Sequence, residues 1–97
     1  MVADLEARAR LARYDSICDE LLTRAARARA GGEDCESLLR SAMRDVRRPD
    51  IRLLSIRVRG RRATARVRSR SAGQRPADET IELRREGGTY RIEALTE

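Results

Sequence analysis

Three groups of residues in this sequence could do chemistry: a cysteine pair, Cys18 and Cys35; the neighbours Tyr14 and Asp15; and the arginine-rich stretch "VRGRRATARVRSR", residues 58–70. Two cysteines are usually buried thiols in a reducing compartment and a disulfide in an oxidising one, and their number does not choose between them. Tyr14 and Asp15 set a hydrogen-bond donor beside a carboxylate, which an isomerase-type acid–base site needs. With Tyr90, the other of two aromatic residues, they are the candidate pocket residues. The plainer reading is that Tyr14 packs at a helix end and Asp15 caps one. The chain has no His, which excludes Ser-His and Cys-His nucleophiles and any His-ligated metal. No catalytic residue, metal ligand or cofactor is assigned.

The arginine run has two readings. All 22 basic residues are Arg, giving a net charge of +6. Residues 51–75 carry nine Arg and no acid, residues 76–97 carry six acids and three Arg, and the first 50 residues balance at ten of each. A face of Arg57, Arg59, Arg62, Arg66, Arg68 and Arg70 could follow a phosphate backbone. However, single-strand platforms need exposed aromatics, none of which lies nearby, and there is no recognition helix. The alternative is an ordinary hairpin whose outer positions are arginine, partly neutralised by the acidic segment that follows.

The elements that place these residues are legible from periodicity. At 97 residues the chain has room for a single domain, 1–97, and its core must be aliphatic because Phe and Trp are absent. Leu11, Tyr14, Cys18, Leu21, Leu22 and Ala25 fall on one helical stripe, extended upstream by Leu5, Ala9 and Ala12. Ser16 and Asp19 make a helix-start signal, so a break is expected at Asp15–Ser16. Gly31 and Gly32 close the second segment, Asp34 caps a third carrying Leu38, Leu39, Ala42, Met43 and Val46, and Pro49 stops it. On a straight helix followed by an antiparallel partner, Cys18 and Cys35 would lie about 18 Å apart. A disulfide tolerates about 7 Å between Cα atoms, so a bridge requires a bend near Thr23.

From Ile51 the period becomes two. Ser55–Arg59 and Arg62–Arg68 flank Gly60-Arg61, a pair suited to a type II′ turn. This register sets Val58 against Ala63, Ile56 against Ala65 and Leu54 against Val67 on an apolar face, with Leu53 among the arginines on the other. Two further strands run from Glu79 to Arg85 and from Thr89 to Leu95. A turn centred on Glu86-Gly87 is expected, because it opposes Glu82 with Arg91 and Leu83 with Tyr90. Ile81, Leu83, Tyr90, Ile92 and Ala94 would then share the inner face, and Glu79, Glu82 or Glu93 would neutralise Arg66 or Arg68. The fold class is α+β: three N-terminal helical segments, within 2–48, on one face of a curved antiparallel four-stranded sheet of two consecutive hairpins, within 51–96.

At this point "YDSICDELLTRAARARAGGEDCESLLRSAM", "LLSIRVRGRRATARVRS" and "ETIELRREGGTYRIEAL" resemble, in order and spacing, the small bacterial members of the nuclear transport factor 2-like superfamily. The resemblance covers residues 3–95. It implies a cone-like fold with a cavity at its open end, a disulfide between Cys18 and Cys35, and export as a secreted or tethered domain. This chain lacks the extra strands of full-length members, which implies a shallow or closed cavity. No apolar run approaches the length of a membrane-spanning helix and Met1–Arg10 does not read as a signal peptide, so the alternative is a cytoplasmic protein. The function expected is a non-catalytic ligand-binding or protein-interaction domain. Nucleic-acid or anionic-surface binding through the arginine face is the runner-up, and a small isomerase-like or dehydratase-like enzyme the third reading. The partners considered are an unidentified protein, a small apolar ligand, and a second copy through the sheet.

Overall fold

A computed structural model of the chain describes residues 2–96. Four helices precede four strands: α1 (Val2–Arg10), α2 (Tyr14–Ser16, continuing as a π-helical turn over Ile17–Leu21), α3 (Arg24–Arg29) and α4 (Cys35–Ala42), then β1 (Asp50–Arg59), β2 (Arg62–Arg70), β3 (Ala77–Glu86) and β4 (Thr89–Thr96). The strands form an antiparallel meander in the order β1-β2-β3-β4, with the helices against one face. This is the α+β arrangement expected.

The first helical break falls earlier than Asp15–Ser16. Ala12 adopts a left-handed φ of 56°, the amide of Ala12 donates to Ala9 O at 3.2 Å, and that of Arg13 donates to Arg8 O at 2.8 Å. These two bonds make a Schellman stop, with alanine where glycine is usual. The Ser16–Asp19 start signal is not used; the Ser16 hydroxyl instead donates to Glu20 Oε2 at 2.9 Å. Asp34 precedes α4 without a side-chain cap, and α4 ends at Ala42, short of Pro49.

The expected bend at Thr23 is present, and the π-helical turn prepares it. The Leu22 amide donates to Ile17 O, after which Leu22 and Thr23 are extended, with ψ of 147° and 162°. Thr23 is wholly buried and bonded in three ways. Its amide donates to Ile92 O at 2.9 Å, its hydroxyl donates to Glu93 Oε2 at 2.6 Å, and its Oγ1 accepts from the Ala26 amide at 3.0 Å as the cap of α3. The chain then folds back through Gly31, whose φ of 116° is a conformation that L side chains rarely adopt. Cys18 and Cys35 are thereby brought to 6.2 Å between Cα atoms and form a buried disulfide.

In the sheet, Gly60 takes φ 57° while Arg61 stays out of the left-handed region, as a type II′ turn requires. Val58 faces Ala63 and Ile56 faces Ala65 as expected, but a bulge at Leu54 puts Leu53, not Leu54, opposite Val67. One extra residue reverses the faces beyond it, so Leu53 leaves the arginine side. The second hairpin turns on Gly87-Gly88, not on Glu86-Gly87. Both glycines have positive φ, 63° and 86°, and Arg84 faces Arg91 while Leu83 faces Ile92. A primed turn that matches the strand twist outweighs one exposed like-charge pair, worth about 0.2–1 kcal/mol. A second bulge then sets Glu82 against Ala94 and Ile81 against Leu95, so Leu95 takes the inward place expected of Ala94.

The core joins Tyr14, Ile17 and Leu21 of the helical layer to Ala63, Ala65 and Val67 of β2, Ile81 and Leu83 of β3, and Ile92 of β4. β1 contributes no buried residue. The helical layer spans β2 to β4, and α1 reaches only the start of β1, where Glu6 Oε2 accepts from the Ile51 amide at 2.6 Å. Replacing both cysteines by alanine frees a loop of 17 residues and should cost about 3 kcal/mol of unfolding free energy, measurable by urea titration. A loss below about 1 kcal/mol would contradict a stapled bend.

Candidate binding surfaces

The strand ends opposite the hairpin turns, together with α1 and α4, enclose a cleft of about 360 Å³. Its walls are Leu5 and Ala9 of α1, Ile17, Leu39 of α4, and Met43 and Val46 just beyond it. One rim is polar, formed by Ser69, Arg70, Ser71, Gln74, Arg75 and Glu79 around the β2–β3 connection, with Asp50 of β1 opposite Arg70. Glu79 accepts a hydrogen bond from the Ser69 hydroxyl at 2.9 Å. This orients the carboxylate along the rim and leaves the walls apolar. Arg70 is the only residue of the expected arginine face that lines the cleft. The sequence hid the site because its rim comes from a loop whose polar composition reads only as a connection.

The three candidate pocket residues are not assembled. Tyr14 lies in the core with the Arg40 guanidinium 5.2 Å from its ring centroid, a cation–π contact. Asp15 is exposed, and the Tyr90 hydroxyl donates to Gly60 O at 2.9 Å, at the hairpin end of the sheet. None of the clefts described here is lined by two of the three.

On the outer sheet face the expected neutralisation occurs with a different acid. Arg68 pairs bidentately with Asp78 directly opposite, at 2.7 and 3.2 Å, not with Glu79, Glu82 or Glu93. The hydrogen bond from Arg68 holds the Asp78 carboxyl below the usual aspartate range, with the Arg68 and Arg66 charges adding to it. Glu93 is drawn away to the helical layer. The Thr23 hydroxyl chiefly, with Arg29, lowers its pKa against the opposing effect of burial. Arg57, Arg59 and Arg62 make no side-chain hydrogen bond or ion pair among the described residues, and they line a shallow hollow with Thr64. Arg59, Arg62, Arg84 and Arg91 stand in one row across the four strands. Arg91 escapes the row by donating to the carbonyls of Asp19 and Leu22, at 3.0 and 3.5 Å.

No protein-family model matches the sequence, and a comparison with curated proteins finds none significantly similar. Solved structures are informative. A SEC-C motif containing protein from Rhodopseudomonas palustris superposes with a TM-score of 0.68 at 21% identity, over 92% of this chain and 69% of that one. A de novo designed protein of the NTF2 fold superposes with a TM-score of 0.57 at 16% identity, over 96% of this chain and 81% of that one. The chain has an NTF2-like fold. Identities this low speak to the fold alone. Leu22 and Thr23, bridging to Ile92, cover part of the outer edge of β4.

The Glu93 contacts generate a pH dependence of defined sign. A carboxyl whose folded pKa lies below its unfolded value of about 4.3 stabilises the fold above that value and loses the contribution as pH falls through the folded pKa. Glu93→Gln should therefore melt below the parent at pH 7, with the gap in Tm closing below about pH 4. A gap that stays constant from pH 7 to pH 3 would exclude an ionised Glu93 as its source.

Proposed function

We propose that this chain is a non-catalytic binding domain that holds a small, mostly apolar molecule with an anionic end in the cleft between α1, α4 and the open end of the sheet. The observation that carries the reading is the lining: apolar walls with a polar rim that carries Arg70 and Arg75, beside Asp50 opposite Arg70 and Glu79 bonded to Ser69. Sites for small ligands have this composition, and about 300–1,000 Å³ is their usual volume. An aliphatic chain would lie against Leu5, Leu39, Met43 and Val46, gaining about 0.8 kcal/mol per buried methylene, while a carboxylate met the arginines.

Binding is favoured over turnover by where the carboxylates stand. Glu79 is engaged by Ser69 at the rim, Asp50 is exposed, and Tyr14 with Asp15 faces no common cavity. A carboxylate poised for proton transfer would need burial beside a donor aimed at substrate.

Decanoate, a simple probe with both features, should bind with a Kd below about 1 mM by isothermal titration, and decanol about tenfold more weakly. Val46→Trp, which fills the cleft, should abolish both with the far-ultraviolet circular dichroism unchanged. Equal binding by Val46→Trp, or none by the parent, would overturn the assignment.

A further inference from the structure

Beyond the cleft, the least satisfied part of the molecule is β1. Only its start is covered, by Glu6 on the Ile51 amide, and from Arg52 to Arg59 it is the open edge of the sheet. Such an edge presents alternate unpaired amides and carbonyls outward. Its side chains are also unspent on both faces. On the helix side Leu53, Ile56 and Val58 are 46, 56 and 57% exposed, and Leu53 and Ile56 line a groove of about 430 Å³ with Val2 and Leu83. On the other side Arg57 and Arg59, with Arg62 beside them on β2, have no ion-pair partner among the described residues. Exposed edges in stable proteins are usually shortened, covered or broken by inward charges. This one carries the bulge at Leu54, but from Ser55 to Arg59 it is regular and uncovered, and its arginines point to one face while the opposite face is apolar.

We propose that β1 is a docking edge for an extended segment of a partner protein in which acidic and apolar residues alternate. Added as a fifth strand, such a segment pairs its backbone with residues 52–59. Its apolar side chains then lie beside Leu53, Ile56 and Val58 over the groove, and its acidic ones beside Arg57 and Arg59. Charge complementarity selects this occupant. A second copy pairing through β1 would bring arginine only to arginine, serine or apolar neighbours, since residues 51–59 contain no acid. A head-to-tail match of β1 with β4 meets Leu22 and Thr23 already bound at Ile92. Nucleic acid would satisfy the arginines but not the apolar row, and Tyr90, the nearest aromatic, is half-buried with its hydroxyl engaged.

The test uses a fluorescein-labelled peptide of alternating Glu and Val, compared with a peptide of the same composition in two blocks, the Lys-Val analogue, and a single-stranded oligonucleotide. The alternating acidic peptide should bind best by fluorescence anisotropy, with amide shifts concentrated at residues 52–59. Arg57→Glu with Arg59→Glu should weaken it at least tenfold and raise affinity for the Lys-Val peptide, the circular dichroism remaining that of the parent. Equal binding of the block peptide, tighter binding of the oligonucleotide, an unchanged Kd in the charge-reversed variant, or dimerisation lost on Val58→Pro would each overturn the proposal. Because none of these residues lines the decanoate cleft, the outcome is independent of that site.

Discussion

Thr23 and the last strand hold each other through bonds that span about seventy residues of chain, and the placement of the helical layer follows from them. The Thr23 amide extends the sheet edge by one parallel bridge, its hydroxyl fixes a carboxylate, and its oxygen starts α3. Each bond satisfies a polar group that burial would otherwise penalise by about 1–3 kcal/mol. With the bend anchored there, Cys18 and Cys35 face one another, Gly31 can close the return, and Ile17 and Leu21 meet β2, β3 and β4.

Much of this was legible in the residues. Helix rise and disulfide reach alone make a Cys18–Cys35 bridge and a bend near Thr23 require one another, and both features are present. The β1–β2 register near the turn followed from Gly60-Arg61 and the alternation around it. What escaped detection had no local signature. Ala12 stops a helix in a conformation that glycine usually marks, the bulges at Leu54 and Glu93 are invisible to a period-two pattern, and the Gly87-Gly88 turn prevailed over an argument from charge. Alternation in β1 correctly gave an apolar side but could not say whether helices would reach it. That depends on the width of the helical layer, which no single segment encodes. The cleft was illegible for the same reason, since its walls and rim come from separate elements.

The sheet is therefore wider than what covers it, and the surplus falls at β1. The helical layer buries inner side chains of β2, β3 and β4 on one face, where Ala63 and Ala65 share one core with Ile17 and Leu21. On the other face the pairing of Arg68 with Asp78 neutralises the end near the β2–β3 connection, while arginines gather toward the hairpin turns. The two faces of one edge strand thus carry different kinds of unmet demand, apolar on one and cationic on the other.

The order in which the chain is made adds a consequence. Among residues 2–96, β4 is made after the other elements, and it holds the groups that receive Thr23. Until Ile92 and Glu93 emerge, the bend at Thr23 lacks the carbonyl and carboxylate that fix it. The three antiparallel pairings are local and can form as each strand appears, whereas anchoring of the Thr23 bend onto the sheet must wait for β4. A nascent chain stalled just before β4 would leave β3 as a second open edge and Thr23 without the partners that bury it, so β4 is the strand that completes the fold of these residues.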